Sequence, residues 1–260
     1  MERDTIERAA AEVARRRLAK ERLAALDGIR GEDAGYAVQR LANARLEARL
    51  GPVVGHKIGG TTEAMRRLIG AREPVAGEVF AETVHPTPAR LSFDAFLRPG
   101  IETEIAVRLG RDLPPGEAPF DRTRVAEAVA EVMAAIEIVD DRYEDFRRAG
   151  IATIVADNAF NAASILGEPR RDWRGLDLAG LVARTRIDGR CVAEARSDAL
   201  MGHPFEALRW LADRRAALGR GLAAGSFVSL GTITPVQWLD RPCEVRIEVE
   251  ELGEVVLRLD

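Results

Sequence analysis

Cysteine and histidine are scarce in this sequence, and their scarcity narrows the chemistry before any motif is read. The two cysteines, Cys191 and Cys243, are too few for a disulfide framework. Neither belongs to a CxxC pair of the kind that binds zinc or cycles redox. They read as ordinary core or surface residues. Positive charge is not in excess either: a formal charge of -4 and a pI near 5.6 provide no field for nucleic acid or an anionic membrane. No apolar run approaches the length of a membrane span, and Met1 to Arg17 is dense in Arg and Glu where a secretory signal has an apolar core. A cytoplasmic protein is expected. Finally, Ser92, Ser164, Ser197, Ser226 and Ser229 all lack GxSxG surroundings, which removes the serine hydrolases.

What is present suffices for a folded body: 260 residues, 47% hydrophobic and 31% charged, are enough to close a substantial core. From Ile6 to Leu50 the chain is rich in Ala, Arg, Leu and Glu, and Val13, Leu18, Leu23 and Leu41 recur at roughly helical spacing, which predicts two or three helices. From Val53 the texture turns to short apolar runs broken by glycine and proline, as sheets require. A second helix-like pattern starts at Thr123 and places Val125, Val129, Val132 and Ile136 on one side before AAIEIVDD. Asp188-Gly189 and Glu251 to Gly253 each sit between alternating segments and predict hairpins. HPFEALRWLADRRAALG predicts a helix ending at Gly219, and GSFVSLGTITP a buried strand. The expected fold class is α+β, with residues 1–50 a helical section and 51–260 a sheet-rich body continuous with it.

The chemistry concentrates in acids where acids are costly. Glu102 and Glu104 lie two apart in IETEIAV, whose β-branched residues favour a strand, so both carboxylates project from one face. Glu137 and Asp140 interrupt the apolar stretch AAIEIVDD, where an unpaired carboxylate needs a cation to compensate it. Carboxylates with few histidines suit Mg²⁺ or Mn²⁺ better than zinc. The plainer alternative makes Glu102 and Glu104 surface partners of Arg108 or Arg111. Lys57 stands between Val53-Val54 and Gly59-Gly60 in a strand-like segment, either orienting a substrate carboxylate or snorkelling from a strand edge.

Taken together, GHKIGGTTEAM, RPGIETEIAVRLGRDLP, AAIEIVDDRY, IVADNAFNAASILG, MGHPFEALRWLA and AGSFVSLGTITP resemble the successive signatures of the 2-keto-4-pentenoate hydratase family, in that family's order, over about Gly55 to Pro235. The family belongs to the fumarylacetoacetate hydrolase superfamily. The resemblance implies a mixed β-sheet roll, Glu102, Glu104 and Glu137 as ligands of Mg²⁺ or Mn²⁺, and Lys57, His56 and Gly59 beside the substrate. It implies a lyase acting on a small 2-oxo acid in the catabolism of aromatic compounds by meta-cleavage. The metal would chelate the substrate's 1-carboxylate and 2-oxygen, and water would add at C4. Asp140, Asp141 and Asp157 are candidates for the group that activates this water. A homo-oligomer is implied as well, with room for a complex with a decarboxylase or aldolase of the same pathway.

Two stretches depart from the family pattern: Phe160 and Asn161 replace small hydroxyl residues, and Val75-Ala76 replace an acid and an aromatic. Both bear on the substrate and allow one larger than the pentadienoate. Of the histidines, His56 is the one favoured for a role, with His85 in a loop and His203 preceding a helix. Three other activities stay open: decarboxylation of an oxalocrotonate-like diacid, hydrolysis of an acylpyruvate, and an inactive partner-binding subunit.

Overall fold

The computed structural model describes residues 3–260. Helices α1 (Arg3–Ala19) and α2 (Glu32–Leu50) open the chain and bury small residues such as Ala10, Val13, Val38, Ala42 and Leu46. The body follows as β1 (Val53–Gly59), α3 (Glu63–Ile69), β2 (Val75–Phe80), β3 (Val84–Pro86), β4 (Ala89–Leu91), β5 (Pro99–Leu109), α4 (Arg122–Ala128) and β6 (Val129–Asp140). Then come α5 (Phe146–Ala149), α6 (Ile151–Ala156), β7 (Asn161–Leu166), β8 (Val182–Ile187), β9 (Arg190–Arg196), α7 (Pro204–Ala217), β10 (Phe227–Thr232), β11 (Gln237–Trp238), β12 (Cys243–Val249) and β13 (Gly253–Leu259). No described helix is long and apolar enough to cross a membrane.

The strands form two sheets. One runs β2-β1-β10-β5-β6-β7-β3, with β11 pairing on β5 beyond the end of β10; the other runs β4-β13-β12-β8-β9. In the second sheet Val245, Ile247 and Val249 alternate with more exposed neighbours, the pattern of a sheet wet on one side. Its buried side packs on β5 and β6, where Thr103 meets Thr185 with hydroxyl oxygens 2.6 Å apart. The opposite face of β5 and β6 is also dry. There the first sheet curls until β2 approaches β7, enclosing Val79, Ala106, Met133, Ala135, Leu166 and Phe227.

Burial on both faces explains why the sequence pattern misassigns β6. The helix predicted from Thr123 ends at Ala128, and Val129, Val132 and Ile136 belong to β6. A strand covered on both sides has no polar alternation, so its apolar run is indistinguishable from a buried helix by period; its β-branched residues were the better guide. His85, expected in a loop, lies in the short strand β3. The hairpin at Asp188-Gly189 forms as expected, with φ of 48° and 78° at its two turn residues, the left-handed pair such two-residue loops need.

Candidate active site

The inner face of the curled sheet carries the acids. Register places Glu102 of β5 directly opposite Glu137 of β6, and Glu104 opposite Ala135. Because the side-chain period of a strand is two, Glu102, Glu104 and Glu137 share the face that also holds Ala106 and Met133. Each offers an oxygen within 4.8 Å of the others, close to the roughly 4.2 Å that opposite ligands span around Mg²⁺. All three are buried. The alternative of surface pairs with Arg108 or Arg111 is therefore corrected: Arg108 pairs with Glu131 instead.

One cation answers this cluster. Lys57 projects from β1 into the roll, 2% exposed, with Nζ 3.3 Å from Glu137 Oε1 and donating to the Ala159 carbonyl at 3.0 Å. Gly77 on the neighbouring strand makes the passage: a Cβ there would lie 3.1 Å from Lys57 Cγ and 2.8 Å from the Asn158 carbonyl oxygen. Burial works against the Lys57 charge, but Glu137, Glu102 and Glu104 overcome it and hold the ammonium above its usual pKa. Conversely, burial and the charge of Glu137 push Glu102 up to about 8, against the pull of Lys57, and push Glu104 well above the carboxylate range.

The environment supplies the remaining contacts. Ser229 of β10 donates to Glu104 Oε2, and the Gly231 amide reaches the same oxygen at 3.3 Å. Asn161 Nδ2 donates to Glu137 Oε1 at 3.0 Å. Glu104 Oε1 and Glu137 Oε2 are left buried without a hydrogen-bond partner, as are Asn161 Oδ1 and Ser164 Oγ nearby on β7. Three buried carboxylates against one ammonium, with two orphaned oxygens, form an arrangement that a divalent cation completes and that few other partners would. The donor set is all oxygen, and the residues fit a hard divalent metal.

The turn beside Lys57 is held in a conformation that residues with a Cβ seldom adopt. Asn158, Ala159 and Phe160 have φ of 55°, 47° and 69°, each costing about 1–2 kcal/mol. It persists because Asn158 is clamped: its amide exchanges two hydrogen bonds with Asn43 of α2, at 2.7 and 3.2 Å, while its Oδ1 accepts from the Glu78 amide. The turn aims the Ala159 carbonyl at Lys57 and sets Asn161 against Glu137.

A cavity of about 250 Å³ opens above the glutamates, lined by Lys57, Glu102, Gly59, Val75, Phe160 and Trp238 among others. Four candidates read from the sequence lie elsewhere. His56 faces the other side of β1, 3.5 Å from Arg215 and near Glu78, because adjacent strand residues point apart; burial and the Arg215 and Arg220 charges keep its ring neutral. The Asp140 carboxylate accepts the Leu97 and Arg98 amides, and Asp157 forms a buried pair with Arg142 at 2.8 Å. Their carboxylates are taken up by these partners, so both are corrected to holding the chain around the site, as is Asp141, which pairs with Arg98 at 3.0 Å. Sequence reading missed the serine that orients Glu104: Ser229 was weighed only as a nucleophile, whereas a hydroxyl inside an apolar strand was the available signal. Asn43, too far away in sequence to suggest itself, gave none.

The raised carboxyls set a pH dependence for the metal-free protein. Their folded-state pKa exceeds the unfolded value of about 4.5, so their stabilising contribution is complete below pH 4.5 and disappears as pH rises toward 8. Over this window the apo protein is expected to lose thermal stability while the stabilisation by added Mg²⁺ grows, since the metal competes with those protons. Thermal unfolding with and without Mg²⁺ at pH 5 and pH 8 measures both; a metal shift equal at the two pH values contradicts the assignment.

The roll, with its buried carboxylate cluster, places the protein in the fumarylacetoacetate hydrolase superfamily, and residues 74–260 match the family described as Fumarylacetoacetate (FAA) hydrolase C-terminal. Within it, the chain belongs to the 2-keto-4-pentenoate hydratase family. It is 33% identical over 220 residues to a 2-keto-4-pentenoate hydratase of Paraburkholderia phymatum, covering 85% of this chain and 83% of that one. A 4-oxalocrotonate decarboxylase of a Pseudomonas species is 30% identical, over 84% of this chain and 83% of its own. The solved 4-oxalocrotonate decarboxylase of Pseudomonas putida G7, in complex with magnesium and adipate, superposes with a TM-score of 0.93 at 25% identity, covering 100% of this chain and 99% of that one.

Proposed function

We propose that this chain is a cytoplasmic, metal-dependent hydratase that converts 2-hydroxypenta-2,4-dienoate or a close analogue into a 4-hydroxy-2-oxo acid, with Glu102, Glu104 and Glu137 holding Mg²⁺ or Mn²⁺. The observation that carries the reading is the cluster at the floor of the cavity: Glu102 and Lys57 line it, Glu104 and Glu137 lie buried within reach of the same point, each with one orphaned oxygen, and the remaining walls are apolar. When bound, the metal would supply electrophilic stabilisation of charge developing on the 2-oxygen.

The chain's own groups do the rest. Lys57, kept as an ammonium by the glutamates, faces the head of the substrate, offsets its carboxylate charge and moves a proton as dienol becomes enone. In that tautomerisation the proton leaves the 2-hydroxyl and one arrives at C5. Water then gives its hydroxide to C4 and a proton to C3, so the sum is substrate plus one water. Ser229 and Asn161 keep Glu104 and Glu137 aimed. The apolar walls restrict water to what enters with the substrate.

The relatives named as hydratases support this reading. The fold match to a decarboxylase supports a second: loss of carbon dioxide from a 2-oxo diacid at the same floor. Hydrolysis of an acylpyruvate has less support, because none of the three histidines lines the cavity to serve as a base. The test follows 2-hydroxypenta-2,4-dienoate and 2-oxo-3-hexenedioate by ultraviolet absorbance, with Mg²⁺ or Mn²⁺ and after EDTA, and identifies products by mass. Hydration that stops with EDTA is expected; turnover unaffected by EDTA defeats the proposal, and loss of carbon dioxide from the diacid moves the protein to the second reading.

A further inference from the structure

The cavity above the glutamates extends further than the chelating head of a 2-oxo acid requires. Its volume of about 250 Å³ exceeds the roughly 150 Å³ apolar cavity known to admit a benzene ring. Beyond Lys57 and Glu102 at the floor, the side chains lining it carry no charge: Met65, Leu68 and Ile69 come from α3, Phe146 from α5, Phe160 from the turn before β7, and Trp238 from β11. At the mouth, Leu68 and Trp238 are 44% and 37% exposed, two of the few large apolar side chains that the described residues leave in water. Such groups around a cavity are the signature of an apolar ligand that covers them.

No cation beyond Lys57 lines the cavity to receive a second carboxylate, and the guanidinium groups nearest its walls lie against other partners: Arg147 stacks on the Phe146 ring at 4.8 Å. Arg98 lies over the Trp238 ring at 4.9 Å and pairs with Asp141 at 3.0 Å. Arg66 of α3 donates to the carbonyls of Gly60 and Thr61. A carboxylate at the distal end of a substrate would thus leave water without a partner, at a cost an apolar tail does not incur.

We propose that the site selects 2-oxo monoacids whose distal end is a bulky apolar group, aryl or branched alkyl, and rejects dicarboxylates. This selectivity rests on the reading of the floor as a metal site for 2-oxo acids, and the test separates the two. Isothermal titration of the Mg²⁺-loaded protein with 2-oxo-4-phenylbutanoate, 2-oxobutanoate and 2-oxoadipate measures binding without turnover. The phenyl compound is expected to bind about 10-fold tighter than 2-oxobutanoate and tighter still than 2-oxoadipate. Leu68→Arg, at the mouth and away from the floor, is expected to narrow or invert the preference for the phenyl compound over 2-oxoadipate; an unchanged preference overturns the selectivity. Binding of 2-oxoadipate as tight as the phenyl compound by the unaltered protein overturns the selectivity and leaves the metal reading intact. Failure of all three acids to bind, with Mg²⁺ itself bound, overturns both.

Discussion

Glu104→Gln is expected to reduce metal-dependent turnover by about 1000-fold or more while leaving the metal-free fold as stable as the unaltered protein, or more so. The two effects run in opposite directions because of where this carboxyl sits. It is fully buried, with one oxygen held by Ser229 and Gly231 and the other without a partner, so without metal burial keeps it protonated. Glutamine has nearly the same shape as the protonated acid and can still accept from Ser229, and, being neutral at every pH, it never places a charge beside Glu102 and Glu137. With metal, however, the loss of one of three anionic ligands falls directly on affinity and geometry. Turnover and the thermal shift produced by Mg²⁺ should therefore vanish together while the apo melting temperature holds. A variant that keeps its Mg²⁺ shift and its activity would remove Glu104 from the site.

Lys57→Met is expected to cost about 100-fold to 10,000-fold in kcat without weakening the metal. The side chain is nearly isosteric along its stem, so the passage past Gly77 stays filled. What disappears is the charge 3.3 Å from Glu137. The carboxylates then lose an internal competitor for the cation, and Mg²⁺ affinity should stay level or rise, as calorimetry can measure. Loss of metal binding along with activity would assign Lys57 a role in shaping the site. Near-normal kcat would return it to a structural lysine buried at a strand.

How much of this was legible beforehand depends on the range of the interaction. Local patterns announced most elements correctly: the alternation of β12 and β13, the Asp188-Gly189 turn, and the helix whose N-cap is His203. Strand period alone put Glu102 and Glu104 on one face. The pattern failed where tertiary burial erased the polar half of the signal, as in β6, where residues buried on both faces were read as a helix. It also stopped short of the water-activating group, since Asp140, Asp141 and Asp157 look alike as isolated acids in a sequence.

The sequence by itself determined that acids occur where acids are expensive, that their spacing suits a strand, and that the order of motifs is that of a family. Those are properties of neighbours along the chain, governed by backbone period and by the cost of burying charge. Only the tertiary structure decided which acids meet. Glu137 comes to face Glu102 through the register of β5 with β6, Lys57 of β1 reaches Glu137 from three strands away because the sheet curls, and Asp157 is drawn off by Arg142. Long-range pairing of this kind is set by packing, which no window of sequence contains. The same holds for the apolar cavity, whose walls come from segments as far apart as Met65 and Trp238.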